Sequence, residues 1–244
     1  MIIPKEIQQV LNSKQCCGCD LRGVNLRGMQ LMNVDFTKAN LGQCNLWAVD
    51  LSGAILVHAL LKGANLQDAK LVKANLTQAD LSYADLSNAD LSYADLREAI
   101  LFRCRLNWAN LTSTNLFNAN LENAILVNCD LSGAILKGAN LSQAQMIGVK
   151  LYDVDLRGAN LSNAKLTASK IKNTNLTGAN LSGAKLNEVK LDETNLSHAD
   201  LTHVNLSHAN VNKVNLKDTK LDRVSLKYKD LLDGFKEGDQ RENL

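Results

Sequence analysis

The side chains with the most chemistry fall in two short runs of the 244-residue chain. Cys16, Cys17 and Cys19 stand in the run Cys16-Cys17-Gly18-Cys19-Asp20-Leu21. A Cys-x-x-Cys spacing suits either a local disulfide or half of a tetrahedral metal site. His198, His203 and His208 recur five apart, and three imidazoles would hold a transition metal if they converged. No second Cys or His pair lies near Cys16 and Cys19 to complete a metal site. No glycine-rich phosphate loop appears, and no Ser-His-Asp constellation is suggested. What these residues do depends on what positions them.

The positioning element is a repeat. Leu recurs every five residues from Leu21 to Leu226, 42 positions in unbroken register. Thirty-eight are Leu and the others, Phe36, Met146, Ile171 and Val211, are also apolar. Two residues before each sits a smaller side chain, mostly Ala or Val, with Cys19, Cys44, Cys104 and Cys129 in the same phase. A period of five fits neither a helix nor a plain strand. A helix would smear these leucines around its surface, and a strand would alternate them between faces. The chain must therefore bend once per repeat. Four bends close a square coil of 20 residues, with Leu at the centre and the small residue near the corner. Gly and Asn suit the corners because they tolerate left-handed backbone.

In this geometry the histidines share one outward phase on successive sides, so they cannot meet on one ion. Cys44 and Cys104 share a side three coils apart, ~14 Å, too far for a disulfide. The inward cysteines therefore read as packing groups.

Composition bounds the rest. Apolar residues make up 45%, charged residues 21% and aromatic residues 4%, with one proline. The net charge of +2 marks neither a strongly basic nucleic-acid binder nor a strongly acidic mimic. No run of 18 apolar residues exists, so no membrane-spanning helix is expected. The opening MIIPKEIQQVLNSK lacks a basic region followed by an apolar run, so no signal peptide is expected.

Units such as Ala64-Asn65-Leu66 and Ala84-Asp85-Leu86 resemble the pentapeptide repeat family, whose consensus is A(D/N)LXX. The resemblance covers about residues 19–228. It implies an all-β fold, a right-handed quadrilateral parallel β-helix. Forty-two repeats make about ten coils, a rod of about 50 Å. The run Cys16-Cys17-Gly18-Cys19-Asp20-Leu21 is similar to a CxGCDL opening common in cyanobacterial members. For Cys16 and Cys19 a structural disulfide, structural thiols and half of a metal site all stay open.

The expected organisation has three parts. Residues 1–18 form an N-terminal cap, with a short helix over 4–13 that starts at Pro4 and turns Ile7, Val10 and Leu11 to one side. Residues 19–228 form the β-helix. Residues 229–244 form a C-terminal cap, with a helical turn over Asp230 to Phe235 and a disordered polar tail. Some family members dimerise through a C-terminal segment; this one is short, which favours a monomer.

Residues 20 apart stack, so the outer wall reads in columns. Trp108, Ile125, Val127 and Ile147 fall on consecutive coils of one side, with Ile100 and Phe102 on the adjoining side. These positions are normally polar, and a joined apolar patch there suggests docking. A second set is basic. Lys150, Lys170 and Lys190 share one column, Lys165 and Lys185 the next, with Lys172 nearby. Between 145 and 190, seven Lys or Arg stand against three Asp or Glu, which would suit an acidic partner.

An unbroken repeat leaves no loop to roof a cleft, and small-molecule sites are concave. The sequence therefore points to a non-catalytic protein with no cofactor, no resident metal and no small-molecule substrate. Its expected role is a cytoplasmic scaffold or regulator that contacts a protein partner, with no direct binding to nucleic acid or membrane. Family members include regulators of heterocyst differentiation. The resemblance also offers an alternative, a DNA-mimic inhibitor of DNA gyrase. Such mimicry needs dense acid along the rod, and the mixed charge here disfavours it.

Overall fold

The computed structural model describes Val10 and residues 12–225. The leucines face inward as the period requires. Every fifth position from Leu26 to Leu201 is at most 3% exposed. The smaller phase from Val34 to Val204 is buried with it, so one continuous core runs along the axis. Burial loosens toward the ends, where Cys19, Val24 and Met29 at one end and Val211, Leu216 and Leu221 at the other are only partly covered.

Adjacent coils are joined as parallel chains with a register of 20. Asp95 pairs with Asn115 and Asn115 with Ile135. In the same rung Leu116 N–H donates to Ile135 O at 2.7 Å and Asn115 N–H to Ala94 O at 3.0 Å. Four successive pentapeptides feed four different ladders before the first recurs. The result is a parallel β-solenoid with four sides. Pairing lengthens to three residues in one column only, among the described residues. There β1 (Lys150–Tyr152), β2 (Lys170–Lys172), β3 (Lys190–Asp192) and β4 (Asn210–Asn212) stack in order, with Leu151, Ile171, Leu191 and Val211 in register.

The corners take the expected left-handed backbone, with a wider choice of residue than Gly and Asn. The left-handed residue is always the second after the Leu, with φ between 49° and 71° from Gly18 to Arg223. Gly and Asn are common there, but Lys, Glu, His, Tyr and even Trp108 also adopt it. No Val, Ile or Thr does so anywhere in that span. A β-branched side chain crowds its own backbone most in this conformation. The Asn or Asp before the Leu has a separate task. Its Oδ1 accepts the N–H two residues on, as Asn115 does from Phe117 at 3.1 Å and Asp95 from Arg97 at 3.1 Å. That side chain satisfies the one turn donor the ladders leave over.

Polar groups at the smaller inward phase are also satisfied. Thr114 Oγ1 donates to Leu91 O at 2.9 Å, Ser169 Oγ to Met146 O at 2.8 Å and Cys129 Sγ to Leu106 O at 2.6 Å. Each reaches a carbonyl of the preceding coil. No buried side-chain N or O among the described residues lacks a partner.

At the N-terminal end the coil pattern begins upstream of the expected start at 19. Gln15 already pairs with Asp35, and Cys16 N–H donates to Asp35 O at 2.8 Å. The expected cap helix over 4–13 lies mostly outside the described residues; Val10, Asn12 and Ser13 are helical, and Lys14 N–H donates to Val10 O at 2.8 Å. The expected helical turn over Asp230 to Phe235 and the tail lie outside the described residues.

Candidate docking surface

With Leu and its small neighbour committed to the core, three of every five side chains make the outer wall. Most are short and polar, so large apolar groups on it stand out. Trp108 is 65% exposed and sits on a corner with φ 62°. Its N–H donates to Val127 O at 2.9 Å, and one coil further Asn128 N–H donates to Ile147 O at 2.9 Å. Ile125 pairs with Arg105 below and Gln145 above. Trp108, Ile125, Val127 and Ile147 therefore rise along one side.

Ile100 lies on the adjoining side, between Asp80 and Asn120 in its ladder. Phe102 is half-buried because Tyr83 of the preceding coil packs its ring edge-on at 5.6 Å between centroids. Sequence reading missed Tyr83, and it missed Leu60, which is exposed two rungs below Ile100 in the same ladder. Column alignment is the signal that finds Leu60; Tyr83 is one phase off its Phe102 partner and needs the corner geometry. Cations frame this side. Lys62 Nζ is 5.8 Å from the Tyr83 ring centre and the Arg103 guanidinium 5.2 Å from that of Phe102. The two halves of the patch meet at a corner occupied by Arg103, while Arg105 begins the next side 3.5 Å from Asp85.

The basic columns are also in register. Lys150 pairs with Lys170 and Lys170 with Lys190, while Lys165 pairs with Lys185. Lys150 is held by Asp130 at 2.9 Å, and Lys172 lies 3.5 Å from Asp192. Lys165, Lys170, Lys185 and Lys190 are exposed and make no ion pair among the described residues.

The chemistry-bearing residues settle into structural surroundings. Cys16 and Cys19 are joined as a disulfide with Cα atoms 5.2 Å apart. Cys16 occupies the Leu phase of the first coil and Cys19 the small phase, so the bond spans both inward positions of one side. Burial pushes the Cys104 thiol well above its usual range and the Cys129 thiol up to about 12. Neither is a thiolate at neutral pH, so neither is a nucleophile. His198 Nδ1 lies 3.7 Å from Asp218, an exposed contact of the next coil. No group of three or more metal-binding side chains comes together among the described residues. A shallow, open depression at the N-terminal end is lined by Asp20, Arg22, Gly23 and Gln43. The Arg22 guanidinium, bonded to Asp20 at 2.7 Å, already saturates that carboxylate. No helix of the described residues is long and apolar enough to cross a membrane.

Comparison with known proteins gives the following. Residues 119–196 match the family described as a pentapeptide repeat region. Residues 15–47, 44–82, 79–116 and 179–218 match the family described as pentapeptide repeats (8 copies). Among curated proteins none matches. Similar solved structures include HetL from the cyanobacterium Nostoc sp. strain PCC 7120, a pentapeptide repeat protein involved in heterocyst differentiation regulation. It is 28% identical, with 93% of this chain and 95% of that chain covered and a TM-score of 0.38. A trypsin-treated QnrB1, a plasmid-mediated fluoroquinolone resistance protein, is 12% identical over 87% of this chain and 94% of that chain, at a TM-score of 0.47. The pentapeptide repeat protein Rfr23 from the cyanobacterium Cyanothece 51142 is 28% identical over 59% of this chain and 92% of that chain, at a TM-score of 0.26.

Proposed function

Because this chain belongs to the pentapeptide repeat family, we propose that it is a rigid, non-catalytic solenoid whose outer wall docks another protein. The finer shape we assign it is the right-handed, four-cornered coil of about ten turns that the family implies. We assign it to the cytoplasm, as a monomer without cofactor. The observation that carries the docking reading is the exposed apolar cluster around Trp108. That indole is 65% exposed and held on a left-handed corner. Exposed ring area and strained backbone are both unfavourable in the free protein. A partner that covers the ring recovers the first of these. Lys62, Arg103 and Arg105 supply the polar rim that such contacts have.

The test is a pull-down with the purified chain as bait in extract of its host, run beside a Trp108→Asp, Val127→Asp double variant. We expect a specific set of proteins to be retained by the parent and lost by the variant, with the circular dichroism of the two unchanged. Identical sets from both baits would overturn the assignment. The gyrase-inhibitor alternative predicts loss of supercoiling when the protein is added to gyrase and relaxed plasmid; the docking reading predicts no change. The Lys150, Lys170, Lys190 column disfavours the alternative, because it sets positive charge where a DNA mimic needs phosphate-like acid.

A further inference from the structure

Charge on this wall mostly alternates in sign from coil to coil; Lys137 and Arg157 stack like on like, with Asp155 held on Arg157, and the longest departure is a double column of lysines. Opposite charges stack on adjacent coils at Asp85 and Arg105, Asp130 and Lys150, Asp192 and Lys172, Glu193 and Lys213, and Asp200 and Lys220, with N···O distances from 2.9 to 3.6 Å. In the β1–β3 column and its neighbour, like stacks on like. Lys150, Lys170 and Lys190 are in register, as are Lys165 and Lys185. Rungs ~4.8 Å apart make such pairs repulsive. Among the described residues, Lys150 alone of these five has a carboxylate on it; Lys165, Lys170, Lys185 and Lys190 have none. The corner between the two columns carries Gly148 and then Ala168, which offer no side chain beyond Cβ, and ends at Glu188. Two rows of free ammonium groups thus flank a smooth corner.

We propose that this double lysine ladder is a docking site for an acidic α-helix of a protein partner, laid along the rod axis. This rests on the protein-docking reading above and names a second contact surface for it. The spacing supports a helix. Carboxylates repeating at alternate steps of three and four residues advance roughly 10.5 Å per seven residues. Lys150 to Lys190 spans two rungs, about 9.6 Å, and flexible lysine side chains absorb the difference. Glu188 favours a helix over a nucleic-acid strand. A continuous phosphate backbone would run across that carboxylate, whereas a helix can set a neutral or basic side chain opposite it.

The experiment titrates the full chain with a fluorescent helical peptide of about 21 residues carrying Glu at heptad positions a and d. Three comparisons accompany it: a peptide of the same composition with its Glu spread around the helix, a single-stranded oligonucleotide of equal charge, and a Lys170→Ala, Lys190→Ala variant. A Lys38→Ala, Lys73→Ala variant controls for net charge, and circular dichroism checks that the fold is kept. We expect the facial peptide to bind, and to weaken roughly tenfold both when its Glu are spread and when Lys170 and Lys190 are removed. The control variant should bind like the parent. Equal binding of the two peptides, or equal binding by the ladder variant, overturns the proposal. Tighter binding of the oligonucleotide also overturns it, in favour of a nucleic-acid site. These outcomes are independent of the Trp108 pull-down: the ladder fails alone if only the peptide comparisons fail, and the docking reading fails if the Trp108 variant keeps every partner.

Discussion

At the scale of single residues the fold is decided by three phases with different tolerances. From Leu21 to Leu226 the inward Leu phase holds only Leu, Phe, Met, Ile and Val. The small phase admits a hydroxyl because a carbonyl of the coil below is in reach, as for Thr114 and Leu91 O at 2.9 Å. That carbonyl also accepts Ala94 N–H at 3.0 Å, so it is not orphaned if the hydroxyl goes. Thr114→Val should therefore change stability by less than about 1 kcal/mol, and a loss of several kcal/mol on chemical denaturation would show that the hydroxyl is essential. The left-handed phase excludes β-branched residues. Ala168 sits there exposed, with φ 58°. Ala168→Gly should stabilise by about 0.5–1 kcal/mol and Ala168→Val should destabilise by about 1–2 kcal/mol. Equal denaturation midpoints for the two would contradict the corner assignment. The Leu phase was plain in the sequence because its residue type hardly varies. The left-handed phase was not, because Tyr83, Glu98, Trp108 and His198 share it with glycines. There the coil, rather than the side chain, imposes the conformation.

At the scale of the pentapeptide and its ladder, carboxylates tie turns together and set a pH limit. Asp155 is held below the usual carboxylate range chiefly by the Arg157 side chain, whose Nη2 donates at 2.6 Å. For Asp85 and Asp130, burial pushes the other way, and hydrogen bonds from Ser87 and from Ser132 and Lys150 outweigh it. A folded value below the unfolded one means stability that is fully present above the unfolded value of about 3.9 and is lost as pH falls through the folded values. The Tm should be flat from pH 8 to about 5 and drop below about 4. An Asp85→Asn, Asp130→Asn variant keeps the turn acceptor and should lose less at low pH. A Tm that already falls between pH 7 and 5, or a variant as acid-sensitive as the parent, would contradict this. The preference for Asn or Asp before Leu was visible in the sequence. Its cause needed the turn geometry, because the acceptor serves an N–H two residues away and not its own corner. Likewise Ile100 and Phe102 were legible as misplaced apolar groups, but Leu60 and Tyr83 joined them only once rungs were aligned.

At the scale of the whole molecule, a stack of coils has contacts only between neighbours, so its stability is cooperative along the axis and its function is confined to the wall and the ends. Square closure was legible because one bend in every five residues brings the chain round after four bends, which is the register of 20 that the ladders keep. The distribution of charge into opposite stacks and one like-charged ladder was legible only in part, since Asp130 and Asp192 neutralise two of the six lysines read as one patch. Everything at this scale depends on the leucine interior, and Leu116, fully buried at mid-stack, tests it most directly. Hydrogen–deuterium exchange of Leu116→Asp should show protection lost over about residues 96–136, the coils on both sides, with the N-terminal coils still protected. The buried charge should remove at least about 4 kcal/mol. Exchange that matches the parent, or loss confined to residues 114–118, would contradict an interior filled by the fifth-residue side chains.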